Sequence, residues 1–257
     1  MLGSAWFYLE FLLEWWALLG DAGYRNPAVF ALEYTLAPDA RYPAQIHEAA
    51  AAYQHVLHVA GNDPRRVCIG ADSAGATLAL SLMLVLAQLR RCRRASSGRQ
   101  VSGAKISPPN PELAVLISPW TSLVTDHDHN PLHKHNDEHD YLDMLTLWRY
   151  AHQYASSEHL HQAPANPGAC CDDELWRQAA PRRGFHVSWG SDEILAGDAS
   201  DFVARQRSRN IAVEDMQMAG RPHAWPVASV FLAASEDERF EGLREIVRAV
   251  SRHIPTR

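Results

Sequence analysis

The chain has 257 residues, 47% of them hydrophobic and 21% charged, with a formal net charge of −6 at pH 7. That length and balance suit one soluble globular domain carrying an insertion. The acidic balance excludes nucleic acid as an expected partner and gives an anionic membrane surface little to hold.

Trp6 to Leu19 is strongly apolar but too short for a membrane span, and it carries Glu10 and Glu14 four residues apart. No basic stretch precedes it, so a signal peptide is not expected. We read a helix with one wide apolar face packed on a sheet. A membrane-surface helix is the less favoured alternative, because a polar face rich in lysine or arginine is missing. Gly20 to Pro27 reads as a loop and Ala28 to Tyr34 as a buried strand. Leu36 to Pro43 is a turn-rich connection, and Ala44 to Ala60 is a helix closed by Gly61-Asn62-Asp63-Pro64.

The stretch around which the rest is organised follows: Val67-Cys68-Ile69-Gly70-Ala71-Asp72-Ser73-Ala74-Gly75-Ala76. An apolar run enters it and a helical pattern, Ala76 to Leu89, leaves it. Strand, sharp turn and helix put Ser73 at the tip, where a strained serine backbone demands small neighbours. Ala71, Ala74 and Gly75 meet that demand, and the backbone N–H of Ala74 points at whatever Ser73 attacks. The pattern is G-x-S-x-G with Ala71 in place of the first glycine. The bland alternative is a helix N-cap made by Asp72 or Ser73 after a buried strand.

Residues 91–111 are basic, then rich in Ser, Gly and Pro, and read as an exposed mobile loop. Leu113 to Trp120 returns to a buried strand. Residues 121–181 show no strand signal, only a helical stretch from Tyr141 to Tyr154. We read them as an inserted helical cap over the end of the sheet, where ligands of such folds bind. Within it His127, His129, His133 and His135 invite a metal reading. No helical i, i+4 histidine pair is framed there, and a polar loop is the favoured reading. Phe185 to Gly190 is a strand followed at once by Asp192 and Glu193. Ala199 to Ser208 is a helix, Ile211 to Met218 a strand, Gly220 to Trp225 a loop and Glu236 to His253 a closing amphipathic helix. Cys68, Cys92, Cys170 and Cys171 form neither a disulfide framework nor a metal spacing, so a reducing, cytoplasmic compartment is expected.

Alternating strands and helices imply a parallel sheet covered on both faces. Ser73, Asp192 and His223 then all follow strands. A serine hydroxyl needs a base, imidazole serves near neutral pH, and a carboxylate holds its tautomer. Asp192 as a helix cap and His223 as a backbone-bonded loop residue are the structural alternatives, and Glu193 stands beside Asp192 as another candidate acid.

The order Ser, acid, His is that of α/β-hydrolases. The sequence resembles their hormone-sensitive-lipase-like branch, close to fungal esterases and steryl acetyl hydrolases. The resemblance is carried by EYTLAPDARYPA (Glu33 to Ala44), GADSAGATLAL (Gly70 to Leu80), LISPW (Leu116 to Trp120), WGSDEIL (Trp189 to Leu195) and GRPHAW (Gly220 to Trp225). It implies an α/β-hydrolase fold with a mostly parallel sheet and a cap. It also implies hydrolysis of small or sterol-like acyl esters through an acyl-enzyme, with no cofactor and no metal. By carry-over Ser73 is nucleophile, His223 base, Asp192 orienting acid, and Ala74 N–H an oxyanion donor, with Gly3 and Asp72 as further oxyanion or substrate-binding positions. Two departures stand out. The family's D-Y-R-L-A-P reads Glu33-Tyr34-Thr35-Leu36-Ala37-Pro38 here. The family's first strands and H-G-G-G stretch would lie before Leu2-Gly3-Ser4, so the resemblance implies an N-terminally truncated form. The alternative function is therefore an impaired, hydrolase-like binding protein. Oligomeric state is left open by the sequence.

Overall fold

A computed structural model describes residues 4–96, 108–124, 136 and 139–256. Gly3, the histidine run 127–135 and residues 97–107 of the expected loop lie outside the described residues.

The elements are α1 (Leu9–Asp21), α2 (Ala44–Val59), β1 (Cys68–Asp72), α3 (Ser73–Ser96), β2 (Leu113–Ile117), α4 (Met144–Tyr154), α5 (Asp173–Ala179), β3 (Phe185–Gly190), α6 (Ala196–Ser208), β4 (Val213–Met218), α7 (Trp225–Leu232) and α8 (Glu236–His253). The four strands form one sheet in the order β1-β2-β3-β4, and every neighbouring pair is parallel. Each crossover therefore carries helices onto a face of the sheet.

Alternation along β2 divides the core in two. Leu113, Val115 and Ile117 point at Phe11 of α1, Val227 and Val230 of α7, and Leu243, Ile246 and Val250 of α8. Ala114 and Leu116 point the other way, at Leu80, Met83 and Leu84 of α3, Trp176 of α5 and Phe202 of α6. All five β2 residues are buried, the pattern of a strand covered on both faces. A third cluster joins Trp120 and Leu123 to Leu147, Ala151 and Tyr154 of α4 and to Ile194 and Leu195 after β3. Trp120, Leu123 and α4 thus pack together with the residues that follow β3 at the carboxyl end of the sheet. By length and composition Ser73–Ala95 could cross a membrane, but 61% of that stretch is buried, as suits a core helix.

Three differences from the sequence reading have physical causes. Ala28 to Tyr34 is irregular and forms no ladder. It does not add to the open edge of β1, which pairs only with β2 among the described residues. Leu32 and Tyr34 pack on the α2–α3 cluster, while Val29 and Phe30 are exposed. The helix expected to stop at Leu89 runs to Ser96, so Arg91 to Arg94 are helical rather than part of a loop. Arg91 pairs with Asp172 at 2.5 Å, and Arg90 donates to the Pro108 carbonyl and Asn110 at the other end of that connection. Finally α7 is an additional helix, left-handed at its Ala224 cap and carrying Pro226 in its first turn, a position proline tolerates.

Candidate active site

β1 ends at Asp72 and α3 begins at Ser73 with no residue between. So abrupt a turn forces Ser73 to φ 48°, a left-handed conformation that costs a residue with a Cβ about 1–3 kcal/mol. Ser118, just after β2, and Ala224, just before α7, have φ 44° and 48°. Three strained residues thus meet at one end of the sheet, which is where strain usually marks function. The alanine at 71 is accommodated because it faces Gly75: a Cβ placed on Gly75 would lie 3.9 Å from that of Ala71, an ordinary contact. The elbow is braced from β2. Trp120 N–H donates to the Ser73 carbonyl at 3.2 Å, and the buried Thr77 hydroxyl donates to the Trp120 carbonyl at 2.5 Å.

Asp72 is held by the Tyr8 hydroxyl, which donates to its Oδ2 at 2.7 Å. Burial raises the Asp72 pKa and the Tyr8 bond opposes that rise. Burial and the Asp72 carboxylate together push the Tyr8 hydroxyl upward. Ala74 packs against the cap cluster and lines a narrow pocket with Tyr34, Ala37, Leu123 and Tyr154.

His223 is buried, 3% exposed, and its Nδ1 has no hydrogen-bond partner. Burial pushes its pKa down to about 3, which keeps the imidazole neutral. Asp192 is half-buried, and its Oδ1 accepts from the Ser191 hydroxyl at 2.7 Å. Among the described residues no hydrogen bond joins Asp192 to His223, or His223 to Ser73. Glu193, 0% exposed, is the deeper carboxylate. Its Oε2 accepts from the Ser118 hydroxyl at 2.5 Å and from Gly190 N–H at 3.1 Å, while Oε1 has no partner. Burial raises its pKa to about 8, against the pull of those donors. Ser118 Oγ also accepts from Ala224 N–H at 2.8 Å, which links Glu193 to the residue next to His223.

A second set of contacts comes from Asn136, Asp140 and Tyr141. Asn136 Nδ2 donates to the carbonyls of Ser191 and Glu193 at 3.0 and 2.8 Å. Asp140 Oδ2 accepts from Ile194 N–H at 2.9 Å, and its Oδ1 accepts from His223 N–H at 3.2 Å. The Tyr141 hydroxyl donates to the His223 carbonyl at 2.7 Å, and the two rings meet edge-on with centroids 6.0 Å apart. No cluster of three or more His, Cys, Asp or Glu able to hold a metal occurs among the described residues.

A family model described as alpha/beta hydrolase fold matches residues 7–227. The chain belongs to the α/β-hydrolase family. This α/β-hydrolase is 34% identical to an acetyl-hydrolase of Streptomyces hygroscopicus over 188 residues, 70% of this chain and 51% of the relative. It is 40% identical to an esterase of Acinetobacter venetianus over 212 residues, 80% of this chain and 60% of that protein. It therefore spans roughly half to three-fifths of the length of these relatives. In fold it is similar to carboxyl esterase 2 of the fungus Tuber melanosporum, with a TM-score of 0.76, 20% identity, and 99% of this chain covering 75% of that one. It is also similar to the hormone-sensitive-lipase homologue EstE7 from a metagenome library, with a TM-score of 0.70, 23% identity, and 92% of this chain against 70% of the other.

Sequence reasoning did not single out Tyr8, Ser118, Asn136, Asp140 or Tyr141 in this α/β-hydrolase. Ser118 had a signal in principle, a polar residue closing a fully apolar strand. The other four act across 50 or more residues of chain, and nothing in their local spacing announces it.

Proposed function

We propose that this α/β-hydrolase is a serine-type carboxylic-ester hydrolase acting on esters of small acyl groups. The observation that carries the reading is the left-handed Ser73 at the strand-to-helix elbow, with the neutral, buried imidazole of His223 in the loop after β4. Ser73 Oγ attacks the ester carbonyl carbon and its proton passes to His223 Nε2. The developing oxyanion accepts from the Ala74 N–H. Collapse of the tetrahedral intermediate expels the alcohol, which takes the proton back from His223. A water repeats the sequence on the acyl-enzyme and releases the acid. The narrow pocket beside Ala74 favours short acyl chains, and acetyl esters are the natural first substrates.

The acid of this scheme is better supplied by Glu193 than by Asp192. Glu193 Oε1 and His223 Nδ1 are both buried without a partner, and an orphaned buried polar atom costs about 1–3 kcal/mol. A bond between the two, formed as the imidazole takes up the serine proton, would satisfy both and steady the imidazolium.

The test is a fluorophosphonate probe with p-nitrophenyl acetate turnover in parallel. Wild type should label once, at Ser73, and Ser73→Ala should neither label nor turn over. Absence of labelling in a folded sample would reject the esterase and leave a hydrolase-like binding protein. Glu193→Gln should lower kcat by roughly 10²–10⁴-fold, the loss expected when the group facing the base can no longer ionise to steady the imidazolium. Asp192→Asn should stay within a few fold of wild type, and the reverse ranking would return the acid role to Asp192.

A further inference from the structure

Two loops must be held in register for the proposed chemistry: residues 190–195 after β3, which carry the acid, and residues 220–224 after β4, which carry the base. Each leaves its strand and makes a sharp excursion, so neither is fixed by the sheet alone. They meet at their roots, where Asp192 N–H donates to the Arg221 carbonyl at 3.2 Å and Ser191 N–H to the Met218 carbonyl at 2.9 Å. Gly220 N–H also donates to the Ser191 hydroxyl at 2.8 Å, and Ser118 links Glu193 to the Ala224 N–H. A further set of bridges comes from a third, distant segment. Asp140 uses one carboxylate oxygen on each loop, accepting from Ile194 N–H and from His223 N–H. Tyr141 adds a bond to the carbonyl of His223, so the histidine backbone is gripped on both its N–H and its C=O. Asn136 grips the carbonyls of Ser191 and Glu193, and the N–H groups of His139 and Asp140 fold back onto the Asn136 carbonyl at 3.0 Å each. Asn136 is buried, 2% exposed.

We infer that Asn136, Asp140 and Tyr141 form a strap in which Asp140 and Tyr141 position the base His223 relative to the acid loop, without touching substrate themselves. The inference rests on the esterase reading above. A carboxylate with two oxygens is suited to this place because two N–H donors from different loops converge on it. Tyrosine is suited to its place because a phenol can donate to a backbone carbonyl while its ring packs against the imidazole. Misplacing a catalytic group by about 1 Å costs on the order of 10²-fold in rate, so a strap of this kind should show in kcat rather than in KM.

The experiment compares wild type, Asp140→Ala, Asp140→Asn and Tyr141→Phe for p-nitrophenyl acetate kinetics, fluorophosphonate labelling rate and melting temperature. Asp140→Ala should lose roughly 10- to 100-fold in kcat, with KM within about twofold. Asp140→Asn keeps one acceptor oxygen and should recover part of that loss. Tyr141→Phe keeps the ring and loses only the donor to the His223 carbonyl, and about a fivefold fall in kcat is expected from one hydrogen bond. A merely structural role would lower the melting temperature in all three while leaving kcat per labelled site unchanged, and that outcome overturns the strap. If Asp140→Ala does not fold, the other two variants decide alone, since each keeps the side-chain shape. A wild type that labels and turns over beside variants within twofold of it rejects the strap and spares the esterase. A wild type that does not label rejects both.

Discussion

Gly190 shows how a single backbone position can set an active site. It closes β3, its N–H donates to Glu193, and a Cβ placed on it would fall 1.9 Å from the Arg221 carbonyl oxygen. That oxygen belongs to the loop that carries His223, so a methyl group there would push the base away from the acid. Gly190→Ala should therefore cost at least about 3 kcal/mol in urea unfolding, towards the upper end for overpacking against rigid backbone, and should abolish turnover as well. Gly220 gives the contrasting control. It has φ +67° but nothing within 4 Å of an added Cβ, so Gly220→Ala should cost only about 1 kcal/mol of strain. Equal losses at the two positions would contradict this account of Gly190.

Among elements, what the sequence made legible were those whose burial is decided locally. β3 was expected at Phe185 to Gly190 and α8 at Glu236 to His253, and both are found with those limits. In α8 the Ser235 cap, the acids of the first turn and the Arg252-His253 end all complement the helix dipole. The Ala28 to Tyr34 segment was misjudged for the opposite reason. Its composition suits a strand, but a strand also needs a neighbour, and one sequence cannot say whether the two will pair. The serine elbow was legible because a strained turn imposes small residues within five positions. The grip of Asp140 on Ile194 and His223 was not, since it depends on three segments meeting in space. α1 lies between these cases. Its apolar face was expected, but Trp15 rests on Gly70 of β1 so closely that an added Cβ there would lie 2.7 Å from the ring. Trp15→Ala should cost about 3 kcal/mol, at the low end for Trp→Ala because the ring is only half-buried, and Gly70→Ala should be destabilising because Trp15 must be displaced. Both are readable by thermal melting.

At the scale of the whole molecule, stability should be squeezed from both sides of neutral pH. His223 has its folded pKa pushed below 6.5, to about 3. The unfolded chain then binds the extra proton, and stability falls as pH drops below about 6.5. Burial depresses His186 in the same direction, against the pull of Glu214 3.9 Å from its Nδ1, and neither ring nitrogen has a hydrogen-bond partner. Glu193 has its folded pKa raised from 4.5 to about 8. The folded chain keeps its proton longer, so this contribution is complete below about 4.5 and is lost as pH rises towards 8. Melting temperature should therefore decline from pH 6 to pH 8 in wild type. Glu193→Gln, which cannot ionise, should flatten that decline, and an unchanged slope would contradict the assignment.

Among the described residues the nucleophile sits at the tip of an edge strand. Ser118 and Glu193 rise from the central, fully buried strands β2 and β3, whereas Ser73 and His223 follow β1 and β4, the two edges, whose residues are half-buried or exposed. Nucleophile and base are therefore carried by the two parts of the sheet that can peel off first. Warming should silence the protein before it melts, as a rim carrying the hydroxyl or the imidazole lifts from an otherwise intact body. Amide exchange along Cys68–Asp72 running ahead of that along Leu113–Ile117 would record the event directly.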